Sequence, residues 1–346
     1  MGGEVFFPGW RTMLRYIVRR VLWGIALLVL ASAVIFVIFY VFPSADPAKL
    51  RAGRQANPAV IASIREQLGL SDPLWEQFLR YLTQVFTPFD FFGAAEHGGT
   101  GPFNFGRSFG SNAPVKDIIL DRLPATALLV AGAVFFWLLM GLPTGIISAI
   151  KRRSLLDRAT MVTSLALISA PVFWLGLVAL YLFASDVGKI HIFPGIGSYL
   201  EADTFWARCW SLFLPWLVLA AATAAIYARY LRSSMIDVMS EDYIRTARAK
   251  GVGEGSVIMR HGIRSAITPI VTLLGLDVGL LLAGNAILTE SVFNIPGIGH
   301  EIVVAINRSN LPVIQGIVLF GAFFIVTFNL IVDIAYAYLD PRVRYQ

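Results

Sequence analysis

Apolar residues in this chain gather in long unbroken runs, without the polar faces at helical spacing that a water-soluble fold needs. A helix needs about 20 such residues to cross the hydrocarbon core of a bilayer. Six runs reach that length: 21–42, a stretch within 123–150, a stretch within 159–185, about 209–228, about 267–289 and about 311–332. Only the fifth holds a charge, Asp277. The pattern predicts an all-α polytopic membrane protein with six transmembrane helices.

The polar segments between the runs alternate in charge. Arg11, Arg15, Arg19 and Arg20 precede the first run, and Lys151, Arg152, Arg153 and Arg158 follow the second. Arg229, Arg232, Arg245, Arg248, Lys250, Arg260 and Arg264 follow the fourth, and Arg342 and Arg344 lie in the tail. The two short segments between them hold only Lys189, Arg208 and Arg308. Basic connections stay on the inner side of a membrane, so both termini are expected in the cytoplasm. The expected layout is a cytoplasmic N-terminus (1–20), a first span (21–42), an extracytoplasmic segment (43–122) and a core of five spans (123–346). Ala31-Ser32-Ala33 fits a signal-peptidase site, but the apolar run continues to Phe42 and reads as an uncleaved span.

Within 43–122, Val60, Ile61, Ile64 and Leu68 share one side of a helix expected over 57–70. A second helix is expected to start at Asp72-Pro73, with Leu74, Phe78, Leu79 and Leu82 on its apolar side. The Gly- and Phe-rich stretch 91–105 reads as loop. Pro124 is expected in the first turn of the second span. Pro143, Pro171 and Pro215 lie inside spans and predict kinks. Gly141 and Gly145 have the four-residue spacing that lets helices approach closely.

The connection 229–269 is long, basic and amphipathic. Glu241-Asp242-Tyr243 puts acids at the positive end of a short helix. Gly251, Gly253 and Gly255 interrupt it, and Val257-Ile258-Met259 starts another. A helix–turn–helix between two spans reads either as a docking element or as a basic loop lying on anionic lipid.

Composition agrees with the spans: 57% of residues are hydrophobic and 14% charged, against about 25% charged in soluble domains. Mean hydropathy is +0.69. Cys209 has no partner in the chain, which excludes a disulfide scaffold. One cysteine and four histidines argue against a structural metal site. Gly188-Lys189 is the only Gly-Lys pair and lacks the rest of a phosphate loop. Gly106-Arg-Ser-Phe-Gly110 matches a nucleophile-elbow pattern but follows no strand. No catalytic residue and no metal ligand is assigned.

Several strings together resemble the permease subunits of ABC importers, and most of all the first permease of the dipeptide/oligopeptide pair. Tyr243-Ile-Arg-Thr-Ala-Arg-Ala-Lys-Gly251, with Arg260-His261 and Pro269, resembles the family's cytoplasmic coupling loop. Glu290-Ser-Val-Phe-Asn-Ile-Pro-Gly-Ile-Gly299, Asn329-Leu-Ile-Val-Asp333 and Leu339-Asp-Pro-Arg342 resemble later motifs. Arg122-Leu-Pro-Ala-Thr126, Pro171-Val-Phe-Trp174 and Asp46-Pro-Ala48 fit as well. The match covers nearly the whole chain in order. It departs at 86–103, which is longer than usual, at Asp277, and at Asn310-Leu311, where Asp-Tyr is common.

The resemblance implies a type I ABC importer permease in the plasma (inner) membrane. It implies a second homologous permease, two cytoplasmic ATPase subunits that carry the ATP and Mg, and an extracytoplasmic substrate-binding protein. The chain itself is expected to bind no cofactor and no nucleic acid. The solute implied is a dipeptide or oligopeptide, with nickel, haem or glutathione as same-family alternatives and an ion-driven secondary transporter as the rival. The coupling residues implied are Glu241, Tyr243, Thr246, Ala247, Arg248, Ala249, Lys250, Gly251, Arg260 and His261. Polar groups inside a span are costly and thus functional candidates. Asp277, Asn285, Thr289 and Glu290 are therefore assigned to the translocation pathway, and Phe293 is assigned to it beside them. Asp277 and Asn285 are eight apart and share a helix face. Asn329 and Asp333 are read as structural.

Overall fold

The computed structural model describes residues 10–41, 46–52, 57–86 and 104–339. The long stretch at 87–103 and the tail signature beyond residue 339 lie outside them. The described residues form helices and no β-sheet. Among the described residues five helices are long and apolar enough to cross a membrane, and counting a bent pair as one span gives six.

The first span lies in α1 (Trp10–Phe36), extended by a wider turn over Val37–Val41. Three short helices follow: α2 (Pro47–Ala52), α3 (Pro58–Gln67) and α4 (Leu74–Phe86). Both helices expected in this segment are present. Asn57 caps α3, its side-chain oxygen accepting from the Ala59 N–H at 3.2 Å. α4 packs its aromatic side on the end of α1, where Phe36 lies 5.2 Å from Phe78 and 6.1 Å from Tyr81 between ring centres.

α5 (Val115–Ile150) is longer than the expected span, so Pro124 lies inside it rather than in its first turn. α6 (Leu155–Ser169) and α7 (Val172–Phe183) occupy the stretch expected as the third span, and they are bent by 102°. This is a break and not the expected kink. Pro171 lacks an N–H and forces Ala170 out of the helical region, to φ −82°, ψ 126°.

α8 (Phe205–Ser211) leads into α9 (Phe213–Met239). Pro215 therefore stands in the first turn of α9, where a missing N–H removes no helical bond. α9 also runs past the expected end at residue 228. Its extension buries Leu231 and Met235, and Asp157 neutralises Arg232, one of the charges that suggested an end. α10 (Asp242–Ala249), α11 (Glu254–Ser256), a wide turn over Val257–Gly262 and α12 (Ile263–Ala266) make the connection to α13 (Thr268–Leu280).

The fifth span is broken too. A wide turn over Leu281–Asn285 follows α13, with Gly284 at φ 102°, before α14 (Ile287–Phe293). That backbone conformation is open to glycine and strained for other residues. α15 (Ile298–Asn307) and α16 (Leu311–Leu339) complete the chain.

α5 and α9 form the centre of the core. Gly141 and Gly145 face Ala224 and Ala228, so small residues repeat every fourth position on both helices. A Cβ on Gly141 would stand 2.9 Å from the Ala224 carbonyl oxygen, and one on Gly145 would stand 2.7 Å from that of Ala228. The close approach expected from the spacing is thus realised. Trp137 and Tyr227 fill the interface above, both fully buried. α1 lies at the periphery against α16, with Leu22, Trp23 and Leu30 more than half exposed. Such outward apolar faces belong in lipid or against another subunit.

Candidate functional site

The connection between α9 and α13 is a compact hairpin of short helices. Ile244 of α10 and Val257 are fully buried and pin it to the bundle. Tyr243 reaches Ser265 through their hydroxyls at 3.1 Å. α10 ends at Lys250, and Gly251 follows at φ 78° with no heavy atom within 4 Å of a would-be Cβ. The Val252 N–H reaches back to the Ala247 carbonyl at 3.2 Å, closing a glycine C-cap. Gly251 breaks the helix as expected, Gly253 precedes α11, and Gly255 lies within it.

Arg248 does not project freely. Its Nε and Nη2 donate to Glu254 at 3.0 and 2.7 Å, a two-pronged bond across the glycine turn. The pair shifts both groups from their ordinary values: Arg248 draws the Glu254 carboxyl down, and Glu254 draws the guanidinium up. Arg245 pairs with Asp242 at 3.3 Å. Glu241, Thr246, Ala249, Lys250 and Arg260 are exposed, while Ala247 and His261 are half-buried. The exposed crest is thus small and basic, with Lys250 at its tip.

Beneath this hairpin lies a polar cluster that the sequence did not single out. Asp157 of α6 is buried and accepts from Arg232 of α9 through both oxygens, at 2.7 and 2.9 Å. It also accepts from the Ser148 hydroxyl at 2.5 Å and the Arg153 N–H at 2.8 Å. α5, α6 and α9 are therefore tied together just before the hairpin begins. Ser234 adds a bond from its hydroxyl to the Ala266 carbonyl at 3.0 Å. The 75-residue separation of Asp157 and Arg232 hid their pairing.

The residues assigned to the pathway separate into two groups. Asp277 is half-buried on α13 and accepts from the fully buried Tyr227 hydroxyl of α9 at 2.7 Å. Asn285 is exposed at the Gly284 break. Because the helix is widened and broken there, their eight-residue spacing does not measure a shared face. Thr289, Glu290 and Phe293 are buried on α14.

Glu290 braces three elements. Its Oε1 accepts from the Thr126 hydroxyl of α5 at 2.7 Å, and its Oε2 accepts from the His300 N–H in the first turn of α15 at 2.8 Å. The Thr126 oxygen in turn accepts from the Ile298 N–H at 2.8 Å. A carboxylate at the N-terminal end of a helix is favourably placed. Phe293 packs beside Gly176 of α7, and its carbonyl accepts from the Gly197 N–H at 3.0 Å. Asp333, read as structural, meets Arg20 of α1 at 3.1 Å.

The elbow-like Gly106–Gly110 string is a docking loop. Ser108 accepts from the Asn310 amide at 2.7 Å, and Asn310 accepts from the Phe109 N–H at 3.0 Å. Asn310, noted above as a departure, fastens this loop to the start of α16.

A family model described as the binding-protein-dependent transport system inner membrane component matches residues 141–345, and the model for the N-terminal part of such components matches residues 13–144. The chain is 38% identical to the glutathione transport system permease protein GsiC of Salmonella paratyphi A, over 96% of this chain and 100% of that protein. Proteins of the same name from Salmonella typhi and Escherichia coli match with the same identity and coverage. The all-α bundle and its apolar spans accord with these matches, and the chain belongs to the inner-membrane components of binding-protein-dependent transport systems, the multi-pass permease subunits of ABC importers.

Proposed function

We propose that this chain is one of two permeases lining a path for short peptides, driven by two ATPase subunits on the cytoplasmic side and supplied by an extracytoplasmic binding protein. The observation that carries the reading is the hairpin α10–Gly251–α11. It is anchored at Ile244 and Val257, stiffened by Arg248 and Glu254, and presents a small basic crest fit for a groove on a separate protein. Basic residues crowd the same end of the bundle, which faces the cytoplasm in this reading. With no phosphate loop in its sequence, the chain receives its energy mechanically, and the ATPases hold the nucleotide and Mg.

Closure of the ATPases displaces α10, and the Asp157–Arg232 pair passes that displacement to α5 and α6 together with α9. Rigid-body rocking of this kind opens the path to alternate sides. Asp277 and Asn285, the accessible members of the fifth-span set, face the solute. Thr289, Glu290 and Phe293 support them from behind. The curated relatives are named for glutathione transport, and glutathione is itself a tripeptide, so the substrate class we assign is peptides of two or a few residues.

The test is reconstitution of this chain in liposomes with its second permease, ATPases and binding protein. ATP-dependent accumulation of a labelled dipeptide or tripeptide is expected, together with cysteine cross-links from position 250 to an ATPase. Full-speed transport without the ATPases, or cross-links only to lipid, overturns it.

A further inference from the structure

On the end of the bundle opposite the α10–α11 hairpin, α2, the turn after α3, α4, the end of α1, the 104–109 loop and the start of α16 enclose a chamber of about 100 Å³. That is smaller than the roughly 300–1,000 Å³ of sites that swallow a whole small molecule, so the chamber has room for the end of a chain only. Its charged lining consists of Arg51, Arg80 and Arg107, with no acidic residue among the lining side chains. Asp72, just outside, balances Arg80 through a 2.5 Å bond. Arg107 donates to the Asn112 carbonyl at 2.8 Å and keeps its charge. Arg51 makes no ion pair among the described residues. The chamber is therefore electropositive by about two charges.

Two of its lining residues carry a buried polar atom with no partner: Arg80 Nε and the Tyr81 hydroxyl. Tyr81 is only 8% exposed. Buried donors are nearly always satisfied, and leaving one bare costs roughly 1–3 kcal/mol. Two unpaired donors just beneath the wall of one arginine-lined chamber favour an anionic acceptor within their reach. The remaining wall is mixed: Leu68, Phe105 and Leu311 are apolar, and Gln84 and Gln315 bring amides. An inorganic anion has no use for such walls, whereas an amide-containing body with one acidic end does.

We propose that this chamber binds the carboxylate of small organic solutes, the class being the carboxyl-terminal end of a short peptide. Identifying that solute with the transported one rests on the import reading above; the binding itself does not. Arginine forks suit a carboxylate geometrically, and the Tyr81 hydroxyl supplies a further donor.

The experiment uses the assembled complex without its binding protein, in nanodiscs of phosphatidylcholine. The probes are N-acetyl-alanyl-alanine and its C-terminal amide, titrated by calorimetry. The acid should bind about tenfold tighter than the amide, the discrimination expected when one charged hydrogen-bonded contact is lost. Arg51→Gln should weaken the acid by a similar factor. Tyr81→Phe should weaken it several-fold; a merely structural Tyr81 predicts no loss, since the change removes an unsatisfied hydroxyl. Equal affinity for acid and amide, no binding, or indifference to both substitutions overturns the proposal. So does full displacement of the acid when phosphatidylglycerol is added, which would make the chamber a lipid-headgroup site. If peptide uptake by the complete system persists while binding fails, the chamber reading falls alone; binding without uptake does the reverse.

Discussion

Replacing Glu290 with alanine separates two roles that its place in the sequence leaves entangled. If the carboxylate braces α14 against α5 and α15, its loss is first a loss of stability. Two bonds disappear, from the Thr126 hydroxyl and the His300 N–H. Hydrogen bonds to a charged group contribute roughly 1.5–3 kcal/mol each, and the donors left behind are buried. A cost of about 3–5 kcal/mol follows. Glu290→Gln keeps the volume and one accepting oxygen, so about half that loss is expected. Thr126→Val combined with Glu290→Ala should be less damaging than the sum of the two, with a coupling of about 1–2 kcal/mol. The assay is heat resistance of the detergent-purified complex, read by size exclusion after a temperature ramp, alongside peptide uptake in liposomes. An alanine variant that stays as heat-resistant as the native complex yet no longer transports would refute the brace and return Glu290 to the solute path.

Gly145→Val puts a branched side chain where even a Cβ stands 2.7 Å from the Ala228 carbonyl oxygen; it should separate α5 from α9 and sharply reduce the yield of folded protein in membranes. Asp157→Ala leaves the half-buried Arg232 without its partner and the Ser148 hydroxyl without its acceptor, a loss of about 1.5–3 kcal/mol; adding Arg232→Met should recover part of it, and no recovery would mean the two residues act independently. The Arg248–Glu254 bond holds the Glu254 pKa below its ordinary 4.5. A lowered acid contributes stability above its unfolded pKa and loses it only as pH falls through the lowered value. The protection factor of the Gly251 turn, its exchange divided by the intrinsic rate at each pH, should therefore be flat across neutral pH and fall only in acid below 4.5, a fall absent from Glu254→Gln; a turn that loosens near pH 6 contradicts the pairing.

Most of the architecture was legible because lipid imposes it. Length and apolarity alone mark a span, and glycine at four-residue spacing marks close packing, as Gly141 and Gly145 show. The hairpin between α9 and α13 was legible through its punctuation: acids at the start of α10 and a glycine after it. What could not be read were relations across long chain separations. Arg232 counted only as one more basic residue at an inner loop, because its partner lies on α6. Glu290 looked like a polar residue near a span, because the N–H groups it satisfies belong to α15, which has not begun at that point in the chain. The breaks at Pro171 and Gly284 escaped because hydropathy has no term for direction: an apolar run reads the same whether it is straight or bent by 102°. Proline predicted a disturbance there without its size.

The length of α5 has a mechanical corollary. At 36 residues it spans about 54 Å, well beyond a hydrocarbon core of about 30 Å. One extremity is lashed to α9 beside the α10–α11 hairpin, through Ser148 and Asp157; farther along, Thr126 is hooked to the foot of α15. Tilting such a beam at one face must swing its far tip at the other, with the glycine–alanine seam forbidding slack between them. In the proposed mechanism, news of nucleotide binding would thus reach the solute's doorway by leverage along this one helix, with its give concentrated at Pro124 and Pro143.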